Sequence, residues 1–415
     1  MKVRDQPSSD WSASLIGDTI GENKLRTGGN KQRSQEKAIS SDTEERIAFV
    51  WDNFGPMHAD RCDSVAGIFH ERAKVFGIEL NSKSSDYEWE SEARSTFEKI
   101  TISAYSGKGK LKSFAIAFKI IKQCFSKKIS HVFFCHYERT EIFLAAVILK
   151  VSGFKVYTMN CSKFDDSPRR ASREMLKRLW MLPYRGGIAS GKRSADYMRF
   201  LGIRESNIKT EYNTLSIDRI RNLSASLPAP NGVKFNKRHF TIVARLIPKK
   251  NLVMALEAFA RYRDSVAQPR MLHICGSGEL EEVLKRRVAD LGLASYVIFH
   301  GFVQSDGVAR ILATTLALIL PSVEEQFGNV VIEAQAMGLP VILSDVCGAR
   351  DHLIRTGVNG FVIEPDNPLG LSFFMTMLSE DEGLWRRMAT AAAEGADKGD
   401  VRQFSVAVRS LVDAA

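Results

Sequence analysis

With 415 residues, 44% of them hydrophobic and 26% charged, and a net charge of +10, the chain reads as globular and too long for one ordinary core. Its longest apolar runs, Ile142–Leu149 and Leu316–Leu320, are too short to span a membrane, and its N-terminus lacks the apolar core of a signal peptide. Cys62, Cys124, Cys135, Cys161, Cys275 and Cys347 form no CxxC pair and no zinc-spaced Cys/His set, which points to reduced core thiols in a cytoplasmic protein.

Residues 1–45 are polar, rich in Ser, Lys, Gly and Gln, and without periodicity, so a disordered tail is expected there. A first domain is expected over 46–222. It opens with the buried-strand pattern Arg46–Trp51, ended by Asn53-Phe54-Gly55-Pro56. His131–Cys135 reads as a strand, Glu138–Val151 as a helix and Phe154–Met159 as a strand. Ala171–Met181 reads as an amphipathic helix with a basic outer face. Such alternation argues for a parallel sheet covered by helices on both sides. The positive charge concentrates here. Eleven basic residues against three acids lie between Arg169 and Lys209, and a second basic block runs from Lys108 to Lys128. The basic face 169–209 suits an anionic membrane surface or a solvated exterior. No nucleic-acid-binding motif accompanies it, so no nucleic-acid partner is expected.

Residues 223–236, with two prolines and an Asn-Gly, read as a linker. Beyond them the alternation restarts in a second domain over 237–398. Strands are expected at His239–Ala244, Met271–Cys275, Tyr296–Phe302, Leu316–Leu320 and Pro340–Leu343. Helices are expected at Asn251–Val266, Glu279–Leu291 and Ala309–Thr315. Residues 399–415 hold a terminal amphipathic helix, Val401–Ala415. The two halves share a layout without a sequence repeat, which makes the fold class α/β with two Rossmann-like, doubly wound parallel sheets.

Three clusters carry chemistry. Arg245 follows the strand His239–Ala244, and Lys250 stands in the loop opening the next helix, where two cations can clamp a diphosphate. Gly276-Ser277-Gly278 ends the next strand and lets a backbone approach a ligand closely, without the third glycine of a full dinucleotide fingerprint. Glu325 and Glu333 flank a helix start near Gly328-Asn329 at the carboxyl end of Leu316–Leu320, where ligands sit in open α/β sheets. Carboxylates there can accept hydrogen bonds from sugar and ribose hydroxyls. Taken singly, each cluster is equally consistent with a surface turn or a helix-end charge.

In order, VARLIPKKN, ICGSGEL, FHGFV, PSVEEQFGNVVIEAQAMGLPVILSD and GVNGFVIEP resemble the donor-binding domain of retaining GT-B glycosyltransferases of family 4, also called glycosyl transferases group 1. The resemblance covers about Arg238 to Asp366. It implies two domains facing a cleft, with the terminal helix crossing back to the first. Arg245 and Lys250 would neutralise the diphosphate of a nucleotide-sugar donor. Glu333 would bind its ribose, and Glu325 would contact the sugar at the reacting centre. Phe327, Gly328 and Asn329 would hold oxygens through their amides, while Gly276, Gly278 and Phe302 would line the nucleotide pocket. The loop at Gly55-Pro56-Met57-His58 is similar to a Gly-Pro-x-His loop of a bacterial subgroup, which places Gly55 near the donor and His58 near the acceptor. His136 matches a family histidine between donor and acceptor sugars. Asp351 stands where glutamate is usual and receives no role.

The reaction so implied is metal-independent transfer with retention onto a glycan or lipid-linked acceptor, in bacterial surface polysaccharide synthesis. It needs no cofactor, and Asp165-Asp166 lacks the DxD spacing of a metal site. A nucleotide-sugar epimerase of the same fold and a non-catalytic nucleotide-sugar-binding protein are the competing readings.

Overall fold

The structure is a computed structural model that describes residues 44–82, 94–103, 110–166 and 168–415. The tail expected over 1–45 lies, up to residue 43, outside them. The first sheet comprises β1 Glu45–Trp51, β2 Ala73–Asn81, β3 Glu98–Ser103, β4 His131–Cys135, β5 Lys155–Asn160, β6 Gly186–Ala189 and β7 Ile208–Lys209. All are parallel, in the order β3-β2-β1-β4-β5-β6-β7. The second comprises β8 His239–Val243, β9 Leu272–Cys275, β10 Val297–Phe299, β11 Thr315–Leu320, β12 Val341–Ser344 and β13 Gly360–Ile363. These too are parallel, in the order β10-β9-β8-β11-β12-β13. The architecture is the two-sheet, Rossmann-like α/β fold that the alternation predicts.

Central strands here are apolar on both faces. Five consecutive residues of β1 and all six of β11 are buried, as a sheet sandwiched between helix layers requires. One face of the first sheet, with Ala48, Val132 and Phe134, packs under helices Lys110–Ser126, Thr140–Val151, Ala171–Met181 and Lys192–Phe200. The other, with Phe49, Phe133 and Tyr157, packs under helix Pro56–Phe69 and the terminal helix Val401–Asp413. The terminal helix belongs there because Val401, Phe404, Val408, Leu411 and Val412 recur at helical spacing and are buried. Asp400 caps it, accepting from the Arg402 amide at 2.9 Å. The Tyr157 hydroxyl donates to the Leu411 carbonyl at 3.1 Å. The chain thus crosses between the domains twice, and the crossings are joined where Leu215 N–H donates to Gly399 O at 3.0 Å and Val401 N–H to Leu215 O at 2.9 Å.

Several local expectations need correction. Helix Ala171–Met181 turns Arg173 and Arg178 outward as expected, but it is not amphipathic, because apolar side chains share that outer face. Met175, Leu176 and Leu179 are exposed, while Glu174 is turned inward onto Lys177 and Tyr197. The 223–236 segment, expected as a linker, is packed where it joins the two domains. Its start belongs to helix Ile217–Ser224, and Ala229 and Phe235 join the second core. The strand expected over 296–302 stops at Phe299, because Gly301 turns the chain at φ +65° and accepts from the Gly276 amide at 2.7 Å. Of the six free thiols, Cys135 and Cys161 are only half-buried, and both line the cleft described next.

Candidate functional site

Strand order reverses between β1 and β4 in the first sheet and between β8 and β11 in the second. Loops diverge at such switch points and leave a crevice at the carboxyl ends of the strands. The two crevices face each other across one cleft of about 720 Å³.

The second-domain wall is built by three loops. After β8 the chain runs through Arg245 into the short turn Pro248–Lys250, and after β11 it passes through Glu324 and Glu325. These loops are zipped together. Val323 N–H donates to Lys249 O at 2.9 Å, Lys249 pairs with Glu324 at 3.3 Å, and Lys250 pairs with Glu325. Both members of the Lys250–Glu325 pair are largely buried, so each charge is held in place on the cleft wall. Arg245 is exposed on the same wall. After β9, Gly276 has φ +138°, and a Cβ there would sit 1.9 Å from the Ala244 carbonyl oxygen. Glycine is therefore required where the β8 and β9 loops touch.

Helix Val330–Ala336 follows the turn Phe327-Gly328-Asn329. Gly328 has φ +100°, and a Cβ there would press on Leu320 at 2.9 Å. The Phe327 carbonyl is engaged by the Ala349 amide at 2.9 Å, while the amides of Phe327, Gly328 and Asn329 donate to no acceptor in the described protein. Glu333, on this helix, faces the cleft. Burial pushes its carboxyl up to about 7, with Arg219 opposing.

On the first-domain wall His136 ends β4 at φ +59°, a left-handed conformation costly for a residue with a side chain. Its Nδ1 lies 3.4 Å from Glu138. The adjacent Cys135 thiol and Glu138 raise its pKa, with burial opposing. Burial also opposes ionisation of Cys135, but His136 and the Tyr212 hydroxyl, 3.4 Å away, outweigh it and lower the thiol. His58 lines the cleft but spends Nδ1 accepting the Gly55 amide at 3.0 Å, capping its own helix. Burial, then Arg61 and His136, keep it neutral.

The structure therefore gathers Arg245, Lys250, Glu325, Glu333, Gly276, Phe302, Phe327, Gly328, Asn329, His136 and His58 around one hollow. Two expected residues lie off its lining. Gly278 packs on Leu246, whose carbonyl oxygen would be 2.5 Å from a Cβ, and Gly55 serves as the N-cap residue of Pro56–Phe69. Sequence reasoning missed Trp51, Cys135, Asn160 and Tyr212, which complete the first wall. The Trp51 indole donates to the Tyr212 hydroxyl at 3.1 Å. The signal available was position alone, since Trp51, Cys135 and Asn160 all end central strands. Asp165 and Asp166 are engaged with Lys163 at 3.4 and 3.0 Å. Among the described residues no group of three His, Cys, Asp or Glu side chains is placed to hold a metal ion.

Two parallel-sheet domains with this cleft are the GT-B fold of glycosyltransferases. The structure of Anabaena HepE in complex with UDP and glucose superposes with a TM-score of 0.67 at 17% identity, covering 89% of this chain and 100% of that one. Residues 226–395 match the family model described as glycosyl transferases group 1. An uncharacterised glycosyltransferase of Methanocaldococcus jannaschii is 30% identical over 152 residues, 37% of this chain and 38% of that protein. The Escherichia coli UDP-Gal:alpha-D-GlcNAc-diphosphoundecaprenol alpha-1,3-galactosyltransferase is 33% identical over 136 residues, 32% of this chain and 34% of its own length. The matched segment thus spans little more than a third of these curated relatives. Together the comparisons support the group 1 glycosyltransferase family, and the second domain carries that support.

Proposed function

We propose that the protein transfers a sugar, with retention of configuration, from a nucleoside-diphosphate sugar to a glycan or lipid-linked acceptor. The work would be done at the cytoplasmic face of a membrane in surface-polysaccharide synthesis. The observation that carries this reading is the arrangement of Lys250, Glu325 and Glu333 on one wall of a cleft whose opposite wall holds His136. The E. coli relative, whose name gives a diphosphoundecaprenol-linked acceptor, supports the lipid-linked class.

The sugar leaves through an oxocarbenium-like state while negative charge builds on the departing diphosphate. Lys250, Arg245 and the amides of Phe327, Gly328 and Asn329 meet that charge without reorganising. One such preorganised donor contributes about 3 kcal/mol to the transition state. The leaving phosphate takes the acceptor's proton, so no protein base is required. Glu333 accepts from the ribose diol, and Glu325 orients the sugar through its hydroxyls while fixing Lys250. His136, held toward its protonated form, donates to the donor sugar or its phosphate. Closure of the two walls excludes water, which would otherwise compete with the acceptor.

The test is nucleoside-diphosphate release from a panel of UDP-, GDP-, ADP- and dTDP-sugars, with and without lipid-linked or oligosaccharide acceptors, in the presence and absence of EDTA. Acceptor-dependent release that survives EDTA supports the reading. An absolute Mn²⁺ requirement contradicts the metal-free scheme, and conversion of donor without acceptor favours an epimerase.

A further inference from the structure

Helix Ala171–Met181 is inverted relative to an ordinary surface helix. Met175, Leu176 and Leu179, and Leu182 just beyond, are each more than half exposed, whereas Glu174 is buried. An isolated exposed leucine needs no explanation, but a contiguous apolar patch does. This patch continues onto the neighbouring helices over the same sheet face. Lys110–Ser126 exposes Phe114, Phe118 and Phe125, and Thr140–Val151 exposes Ile148 and Val151. Side chains tie the helices into one surface. Phe143 packs edge-on against Trp180 at 3.9 Å, and Lys177 donates to the Tyr197 hydroxyl at 3.1 Å. Eleven of the twenty-one large apolar side chains exposed among the described residues lie on this face and the turns beside it.

The charge on the face is one-sided. Lys119, Lys122, Lys128, Lys150, Arg173 and Arg178 are exposed. The acids of its four helices are Glu141 and Glu174, both buried, and Asp196, paired with Lys192 at 2.8 Å and Arg199 at 3.4 Å. Not every residue of the basic stretch contributes. Arg169 is turned onto Tyr197 at 3.2 Å, and Arg193 reaches into the second domain.

We infer that this four-helix face embeds in the interface of an anionic lipid bilayer. Leucine, methionine and phenylalanine would enter the acyl boundary, and the surrounding lysines and arginines would meet anionic headgroups. Apolar side chains fringed by cations and lacking free acids suit that boundary, which presents hydrocarbon behind negative charge. A protein partner of matching shape would have to supply the same two layers. This surface deepens the membrane location proposed above and rests on it, but sugar transfer in solution does not need it, so loss of vesicle binding would leave the transfer reaction standing.

The experiment is co-sedimentation of the full chain with phosphatidylglycerol-containing or pure phosphatidylcholine vesicles, at low and high salt, beside the Leu176→Gln/Leu179→Gln double variant. These side chains are exposed, so the variant should melt like wild type and bind UDP-sugars equally. Expected is binding to the anionic vesicles that weakens in salt without vanishing, and at least a tenfold loss in the double variant. Three results would overturn the inference. They are no binding to anionic vesicles, equal binding by the double variant, or a wild-type dimer that the substitutions convert to monomer.

Discussion

Arg193 and Asp351 meet between the domains, Nε to Oδ2 at 2.7 Å, joining a helix of the first domain to the short helix Arg350–Leu353 after β12 in the second. The same guanidinium donates to the Asp345 carbonyl at 3.0 Å and pairs with Asp165 at 3.0 Å. Asp351, which has no role in the sequence reading, is thus half of a clasp between the domains. Both partners are partly exposed, so the pair contributes about 1 kcal/mol at most. That suffices to shift an open–closed equilibrium several-fold. Asp351→Asn should increase the radius of gyration in small-angle scattering of the ligand-free protein and weaken donor binding. An unchanged scattering curve would remove the clasp from the account.

Glu333 is raised to about 7 by burial, against 4.5 for an ordinary glutamate. For an acid raised on folding, stability is full below the unfolded value and is lost as pH rises through the folded one. Glu333→Gln removes this cost. The variant should be more stable than wild type at about pH 8 by on the order of 2 kcal/mol, with the gain shrinking toward about pH 5. Its donor affinity should fall, because the amide offers the ribose diol one acceptor oxygen instead of two. Urea unfolding at both pH values checks the first point and calorimetric titration the second.

Three histidines form a ladder on β8, β9 and the turn after β10. The rings of His239 and His273 stack at 3.5 Å, and His300 Nε2 lies 3.1 Å from His273 Nδ1. Burial first, then the neighbouring histidines, lower His239 to about 3 and His273 to about 4. A histidine lowered on folding leaves stability intact above its unfolded value near 6.5. The stability is lost as pH falls from there toward 4, because the unfolded chain takes up protons that the fold refuses. Denaturant unfolding should therefore show a loss on the order of a few kcal/mol between about pH 7 and about pH 4.5. His273→Gln should flatten the profile. Retention of the full slope in that variant would assign acid sensitivity to other groups.

Phe404, wholly buried against Phe49 and Tyr212, anchors the terminal helix to the first domain. Phe404→Ala should cost about 3–5 kcal/mol. Since the helix closes that face of the core, the first domain should lose protection from hydrogen exchange before the second. Equal loss in both would mean that the helix couples the domains more tightly than its packing indicates.

The parts legible in the sequence were those with an undivided signal. β11 reads as a strand because both its faces are buried, so Leu316–Leu320 is apolar without alternation. Glu325 and Glu333 could be placed because a short turn and a helix start follow β11 directly. β6 was missed because Gly186-Gly187 reads as a turn. Yet a Cβ at either position would lie within 3 Å of a backbone oxygen, Asn207 O or Thr158 O, so the strand needs the absence of side chains. In helix Ala171–Met181 the outward Arg173 and Arg178 were legible as an exterior, but the exposure of Met175, Leu176 and Leu179 beside them was not. In the fold, Glu174 finds Lys177 and Tyr197 inside and leaves the leucines in solvent. Trp51, Cys135 and Tyr212 were missed because a wall assembled from separate strand ends has no spacing to read.

On the proposed reading Lys250, fixed in place by Glu325, holds the donor's diphosphate. That role is tested most directly by calorimetric titration of a nucleoside diphosphate and its sugar into wild type, Lys250→Ala and Glu325→Gln, with transfer rates measured in parallel. Lys250→Ala should weaken binding of both ligands and lower transfer by at least a hundredfold. Glu325→Gln should spare nucleotide binding while lowering transfer. Wild-type affinity and rate in Lys250→Ala would contradict that role.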